Sequence, residues 1–193
     1  PEQRAEEAAE GARILGVERT CLNLEDGGIR HDMEGAERAV VRAIREYRPR
    51  IVLTHTGSDH HPDHNALHLA VRRAVFLSNV MKFDTGQERH RSNKLIYFWS
   101  HRHDLPPRID FIADITHVWE KKLEAIRAHS SQVAGGMEGG PKTYLTSGLF
   151  WHRIDARFAH YGSLVGVKYG EPYIVEGIPR LDDPTQFDDV KKG

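Results

Sequence analysis

A short apolar strand that leads through a polar loop into a helix constrains the fold of this chain more than any other feature. Pro49 ends a helical pattern, and Ile51 to Thr54 is then a largely apolar run, typical of a strand buried on both faces of a parallel sheet. The loop that follows is rich in His, Ser, Asp and Gly, and Pro62 lies where proline favours the first turn of a helix. A strand followed by a helix is the repeating unit of α/β folds.

Helical and strand patterns alternate along the chain on both sides of this unit. The helical patterns cover residues 2–15, 33–46, 62–79 and 118–128, and part of 144–161. The strand patterns cover residues 17–24, 94–100 and 111–115. The sequence therefore predicts a single domain over residues 1–193, with an α/β, Rossmann-like layered fold in which helices flank a mostly parallel sheet.

Composition excludes several classes of function. The formal net charge of -1 gives no overall electrostatic attraction to nucleic acid or to an anionic membrane surface. No apolar run approaches the roughly 20 residues that span a bilayer, and the acidic, polar first residues do not form a secretory signal. Cys21 is the only cysteine, so an internal disulfide is impossible. We therefore expect a cytoplasmic protein with no nucleic-acid partner and no membrane partner.

The loop after the apolar strand carries a dense group of imidazoles and carboxylates, which ends in the turn His61-Pro62-Asp63-His64. Ligands of open α/β sheets bind outside the carboxyl ends of the strands, so position alone makes this loop a candidate site. His61 and His64 are three residues apart at a helix start and can point to the same side. Imidazole is a good zinc ligand, and Asp63 can either bind a metal or orient an imidazole.

Two interpretations of this turn stay open from the residues alone. A helix N-terminus often gathers Asp, Ser and His simply to satisfy its free amide groups. The 13 histidines in the chain favour metal binding instead, although the spacing does not decide which of them are ligands. Asp59 and His60, beside the turn, either line a pocket or are solvated loop residues.

Further motifs occur in a fixed order along nearly the whole chain. They are Arg4-Ala-Glu-Glu7 before Ile14-Leu15-Gly16, Leu24-Glu25-Asp26-Gly27, the His61–His64 turn, Asp114-Ile115 with Lys122, His129-Ser130-Ser131-Gln132, and Glu171. In this order they resemble the motifs of the LmbE-like, or PIG-L-like, zinc-dependent N-deacetylases. The resemblance implies that fold and a hydrolytic, metal-dependent activity.

The resemblance also implies roles for individual residues. His64 corresponds to a zinc ligand, His61 to the catalytic residue that stabilises the oxyanion, and Asp63 to its orienting neighbour. Arg4 and Asp26 correspond to residues that contact sugar hydroxyls of the substrate.

Asp59 and His60 complete the set of candidate substrate-binding residues, because they lie next to the turn.

The first metal motif of the family, Ala-His-Pro-Asp-Asp-Glu, is not found in this sequence. In the family it supplies a His and an Asp to the metal and the Asp that acts as general base. We expect it upstream of Arg4, so the domain is predicted to be N-terminally incomplete.

The implied function is zinc-dependent hydrolysis of an N-acetyl group on a small amino sugar or glycoconjugate, which releases acetate and a free amine. Zinc is the expected cofactor, and other divalent transition metals such as iron or cobalt suit the same ligands. Homo-oligomers occur among members of the family, so one is compatible with this chain. The alternatives are a non-catalytic relative that acts as a binding or assembly module, and an amidase of the same fold that acts on another amide.

Overall fold

The computed structural model describes residues 2–99, 108–133, 145–180 and 182. Its α-helices are α1 (Glu2–Leu15), α2 (Met33–Tyr47), α3 (Pro62–Leu77), α4 (Trp119–Arg127), α5 (Ser130–Val133) and α6 (Gly148–Leu164). Its strands are β1 (Ile51–His55), β2 (Lys94–Phe98), β3 (Phe111–Asp114) and β4 (Gly170–Val175). Short 3-10 helices cover Ile29–His31 and Thr116–Val118.

The strands form one open sheet in the order β1-β2-β4-β3. β1 and β2 are parallel, with Ile51 opposite Lys94, whereas β4 is antiparallel to β2, with Val175 opposite Ile96. The predicted α/β fold with helices flanking a sheet is thereby confirmed. The sheet is mixed rather than mostly parallel, because the apolar pattern of a strand does not encode its direction.

The chain divides into two compact units, with boundaries after Cys21, inside β3 and inside β4. The first unit contains α1 and continues to Cys21, and it also contains Ile112–Glu171. The second unit contains Leu22–Phe111 and the described residues from Pro172 onward. The assignment of all 193 residues to one domain stays a prediction.

The core of the second unit packs α2 and α3 against β2. Val41 and Ile44 of α2 contact Val71 of α3, and Leu95 and Tyr97 of β2 complete this apolar cluster. The buried apolar side chains of α2 recur at helical spacing and so form one face that packs in this cluster. This packing fixes the position of α3, whose first turn carries the predicted site.

A buried guanidinium holds the opposite end of α3. Arg45 donates hydrogen bonds to the carbonyl oxygens of Ser78 (3.1 Å), Val80 (2.9 Å) and Phe83 (2.7 Å). These carbonyls follow the last turn of the helix, and the charged group gives each of them a strong hydrogen bond. α3 is therefore anchored at its C-terminus by one side chain of α2.

The first unit is built around an aromatic cluster. Trp119 stacks on Tyr169 with 4.0 Å between ring centroids, and Ile115, Phe150 and Phe158 pack in the same cluster. Trp119 is buried, as expected for a core tryptophan rather than a ligand-binding one.

Two motifs of the sequence meet in the first unit. The carboxylate of Glu7 on α1 accepts hydrogen bonds from the Ser130 hydroxyl (3.0 Å), the Ser131 amide (2.7 Å) and the Ser131 hydroxyl (2.6 Å). These contacts tie α1 to α5.

The prediction of a strand over residues 17–24 is wrong. These residues are mostly exposed, and none of them pairs with a strand in the part of the chain that the structure describes. A strand is stabilised by its neighbours, so β-propensity alone does not produce one. Among the described residues, no helix is long and apolar enough to cross a membrane.

Candidate functional site

The candidate site lies where β1 ends and α3 begins. The Thr56 amide donates to the Phe98 carbonyl (3.2 Å), which extends the β1–β2 pairing by one residue beyond His55. His61 is the N-cap residue of α3, and its Nδ1 accepts a hydrogen bond from the Asp63 amide (3.2 Å). Pro62 occupies the first turn, as the sequence predicts. The imidazole of His61 is thus held by the helix that it caps.

The loop before α3 is fixed by reciprocal hydrogen bonds between Asp59 and Asn65. The Asp59 amide donates to Asn65 Oδ1 (2.7 Å), and Asn65 Nδ2 donates to the Asp59 carbonyl (2.8 Å). Asp59 Oδ1 accepts the His61 amide (2.8 Å) and lies 3.1 Å from His64 Nδ1. The Asp59 side chain is only 2% exposed, whereas that of His64 is 40% exposed. Asp59 therefore lies beneath the turn.

Three imidazoles form a column along this edge. The rings of His55 and His64 stack with centroids 4.2 Å apart, and those of His61 and His64 with centroids 4.9 Å apart. Burial, together with a smaller contribution from repulsion by His64, lowers the pKa of His55 to about 4. His55 is therefore a neutral ring at pH 7, on which His64 packs.

Asp63 connects the turn to a distant loop. Its Oδ2 accepts the Gly27 amide (2.6 Å), while its Oδ1 is buried and has no hydrogen-bond partner among the described residues. One potential metal-ligand atom from each of Asp26, His61 and Asp63 lies within 4.8 Å of the other two. Carboxylate oxygen and imidazole nitrogen are suitable ligands for zinc and related divalent metals. An unpartnered buried carboxylate oxygen in such a group fits a cation, so these residues form a candidate metal-binding group.

The structure brings most of the predicted site residues together. Asp26, His61 and Asp63 form the candidate metal-binding group, and Asp59 and His64 lie against it through the same turn. The remaining two predicted residues do not enter these contacts. His60 is an exposed residue of the loop, and Arg4 is exposed on α1 in the first unit.

The packing of His68 explains why a glycine follows the strand. His68 Nδ1 is 2.8 Å from the His55 carbonyl oxygen, and its ring stands 4.9 Å from that of Tyr97. A Cβ atom on Gly57 would lie 3.0 Å from the His68 ring, which is too close without displacement. Gly57 therefore lets the loop pass over this histidine.

Asn65 is a residue beside the candidate site that sequence reasoning missed. Its amide satisfies both the N–H and the C=O of Asp59, which requires an Asn at that helical position. An Asn in the first turn after a polar loop is the signal that identifies such a clamp.

A family model matches residues 1–75, and it is described as PIG-L, GlcNAc-PI de-N-acetylase. The chain is 28% identical over 178 residues to diacetylchitobiose deacetylase of Thermococcus kodakarensis, an alignment that covers 88% of this chain and 61% of that protein. It is 30% identical to 4-oxalmesaconate hydratase of Pseudomonas putida, over 67% of this chain and 50% of that protein. The chain thus spans between half and about three fifths of the length of these curated relatives.

A solved structure with the same fold is that of the conserved protein TT1542 from Thermus thermophilus. The two structures superpose with a TM-score of 0.79 at 30% sequence identity, and the match covers 95% of this chain and 77% of that one. The similarity therefore extends well beyond the segment matched by the family model.

Proposed function

Because the chain belongs to the PIG-L (LmbE-like) family, we propose that it carries out the zinc-dependent hydrolysis of an N-acetyl group on a small amino sugar or glycoconjugate. The products are acetate and a free amine. The deacetylase among its relatives supports this choice of reaction. The observation that carries the proposal is the His61 ring, which is held as a hydrogen-bond donor while one of its nitrogens lies within 4.8 Å of carboxylate oxygens of Asp26 and Asp63.

The protonation of His61 follows from its helix cap. Since Nδ1 accepts the Asp63 amide, the neutral ring carries its proton on Nε2. The proton makes Nε2 a donor rather than a metal ligand, which favours His61 as the oxyanion-stabilising residue. Asp63 supports this role through its backbone amide.

His64 is then the proposed zinc ligand of the turn. Carboxylate oxygens of Asp26 and Asp63 are the proposed further ligands. The buried Oδ1 of Asp63 would help to hold the ion. Bound there, zinc would supply Lewis acidity for the hydrolysis. The general base is assigned to the Ala-His-Pro-Asp-Asp-Glu motif of the family, which this sequence does not contain.

The residues of this chain act on the substrate as follows. Attack on the acetamide carbonyl places negative charge on its oxygen, and His61 Nε2–H donates a hydrogen bond to that oxygen. The exposed carboxylate of Asp26 accepts hydrogen bonds from sugar hydroxyls, and the exposed His60 lines the approach to the turn. Arg4 is kept as a substrate contact on the strength of the resemblance alone.

The test is an acetate-release assay on a panel of N-acetylated amino sugars and glycoconjugates, with zinc content measured on the same samples. Acetate release that depends on zinc and on His61 supports the proposal. A protein that holds zinc stoichiometrically and releases acetate from no member of the panel contradicts it, and favours a binding or assembly module instead. Release of another acid from other amides identifies an amidase.

One observation favours a second candidate function. The hydratase relative is 30% identical over 67% of this chain, which supports addition of water to a carbon–carbon double bond as the alternative reaction. Loss of the ultraviolet absorbance of an unsaturated tricarboxylate, without acetate release from any amide, identifies that activity.

A further inference from the structure

Asp59 and Asn65 have no assigned part in the chemistry proposed above, yet they make the most specific contacts of the loop. The Asp59 carboxylate is buried and reaches both histidines of the turn, the His61 amide at 2.8 Å and the His64 ring at 3.1 Å. A carboxylate in contact with a histidine ring beside a metal site commonly fixes the orientation and the tautomer of that ring.

The protonation of His64 follows from the neighbour of its Nδ1. That nitrogen is buried and makes no regular hydrogen bond with any described residue, while Asp59 Oδ1 lies 3.1 Å away. An ionised carboxylate only accepts hydrogen bonds. A lone pair on Nδ1 would therefore face the lone pairs of the carboxylate, whereas a proton there meets an acceptor after a slight rotation of the ring. The favoured neutral ring has its proton on Nδ1 and a bare Nε2.

His61 has the opposite arrangement. Its Nδ1 accepts the Asp63 amide, so its proton is on Nε2. The two imidazoles are stacked with 4.9 Å between centroids, and one presents a donor at Nε2 where the other presents a lone pair.

We infer that Asp59 is a positioning residue that holds His64 in the Nδ1–H tautomer while His61 is held in the Nε2–H tautomer, and that Asn65 keeps Asp59 in place. The consequence of this arrangement rests on the proposed function. If that function is right, the zinc ligand His64 and the oxyanion donor His61 lie side by side. It revises the expectation that Asp59 contacts substrate, because a carboxylate at 2% exposure is beneath the turn.

Asn65 contributes through its two hydrogen bonds to the backbone of Asp59, at 2.7 and 2.8 Å. Only one orientation of the Asn amide satisfies both, so the clamp fixes the carboxylate relative to the first turn of α3. Asn65→Ala is therefore expected to change His64 in the same direction as Asp59→Asn, to a smaller extent.

The experiment reads both tautomers from one spectrum. Long-range proton–nitrogen correlation on the ¹⁵N-labelled, metal-free chain is recorded in mildly alkaline buffer. His61→Gln and His64→Gln assign the two rings. The expected result is a proton on Nδ1 of His64 and on Nε2 of His61. In Asp59→Asn, His64 moves toward the Nε2–H form and His61 does not, while Ser58→Ala, in the same exposed loop, leaves both unchanged.

A wild-type spectrum with His64 in the Nε2–H form overturns the inference, and so does an Asp59→Asn spectrum that matches wild type. If Asp59→Asn does not fold, the wild-type spectrum and Asn65→Ala still decide. Zinc competition gives a second readout, in which Asp59→Asn weakens affinity by about 10–100-fold. The expected tautomers in a wild-type chain that binds no zinc would support the inference and count against the proposed function. Zinc binding by a chain in which His64 has the Nε2–H tautomer would support the proposed function and contradict the inference.

Discussion

Two polar clusters, one in each unit, differ in how completely their carboxylates are satisfied. In the first unit Glu7 is 7% exposed, and both of its oxygens accept hydrogen bonds from Ser130 and Ser131. In the second unit Asp63 is 6% exposed, but its Oδ1 has no hydrogen-bond partner among the described residues. At the end of β1, Nδ1 of His55 is also buried and also has no hydrogen-bond partner among the described residues.

The difference separates a structural cluster from a functional one. A buried polar group without a partner costs free energy, so its retention calls for an explanation such as a ligand, an ion or water. The Glu7 cluster needs none, because it is complete within the protein and ties one helix to another. In the turn at His61–His64, Asp63 keeps a buried acceptor without a partner among the described residues, as the proposed metal site requires. Both clusters contain motifs of the resemblance, so a motif alone does not identify a catalytic residue.

The largest expected effect is that of His64→Ala. Removal of the proposed ligand should weaken zinc affinity by more than the roughly 100-fold that loss of a supporting residue costs, and acetate release should be lost with the metal. Metal analysis and the acetate assay measure both. The matched control is His152→Ala, an exposed histidine on α6, which should leave zinc content unchanged. Full zinc content in His64→Ala would remove His64 from the site.

His61→Asn tests the other imidazole of the turn. Asn is a good N-cap residue, so the helix start is preserved while the reach of the imidazole is lost. Zinc content should be retained, and acetate release should fall by about 10²–10³-fold, as for the loss of one oxyanion donor. Loss of zinc in this variant would instead assign the metal to the Asp26–His61–Asp63 group.

His55→Phe tests the unpartnered ring at the strand end. The folded pKa of about 4 is below the unfolded value near 6.5, so the unfolded chain binds more protons between these values. Wild-type stability should therefore fall as the pH drops from about 6.5 to about 4. The partly exposed ring limits this contribution to about 1–2 kcal/mol.

Phe keeps the stack on His64 and the contact with Phe98, and it loses no hydrogen bond at Nδ1. Urea denaturation of the metal-free proteins at several pH values should give a flatter stability profile for His55→Phe. An unchanged pH slope would show that His55 is not the group responsible.

The sequence predicted the elements that local patterns determine. The boundaries of α1, α2 and α3 and the position of Pro62 follow from helical periodicity and helix-start chemistry. Residues 17–24 and Gly170–Val175 show the limit, because the first was predicted as a strand and is not one, while the second is a strand that contains Pro172 and was not predicted. Strand formation depends on pairing partners that no local window contains.

The site shows the same division between local and long-range information. His61, Asp63 and His64 were identified because they follow one another at a helix start. The contact of Asp63 with Gly27 joins residues 36 positions apart and was not predicted, although the resemblance had drawn attention to the neighbouring Asp26. The role of each imidazole depends on which backbone amide or carboxylate meets its Nδ1, and residue spacing does not contain that information.

The smallest expected effect is that of Glu7→Gln, with Glu10→Gln on the same helix as its control. Hydrogen bonds from Ser131 hold the pKa of Glu7 below its usual range. The stabilisation is therefore present above the unfolded pKa of about 4.3 and is lost as the pH falls through the lower folded pKa. Gln still accepts through one oxygen, so the melting temperature at pH 7 should fall by only a few degrees. Glu10 pairs with Arg13 at the exposed surface, and its substitution should change the melting temperature less.

Zinc content and acetate release should be unaffected in both variants, because the Glu7 cluster is saturated within the protein. Loss of zinc in Glu7→Gln alone would show that the saturated cluster also supports the site, and the contrast between the two clusters would then fail.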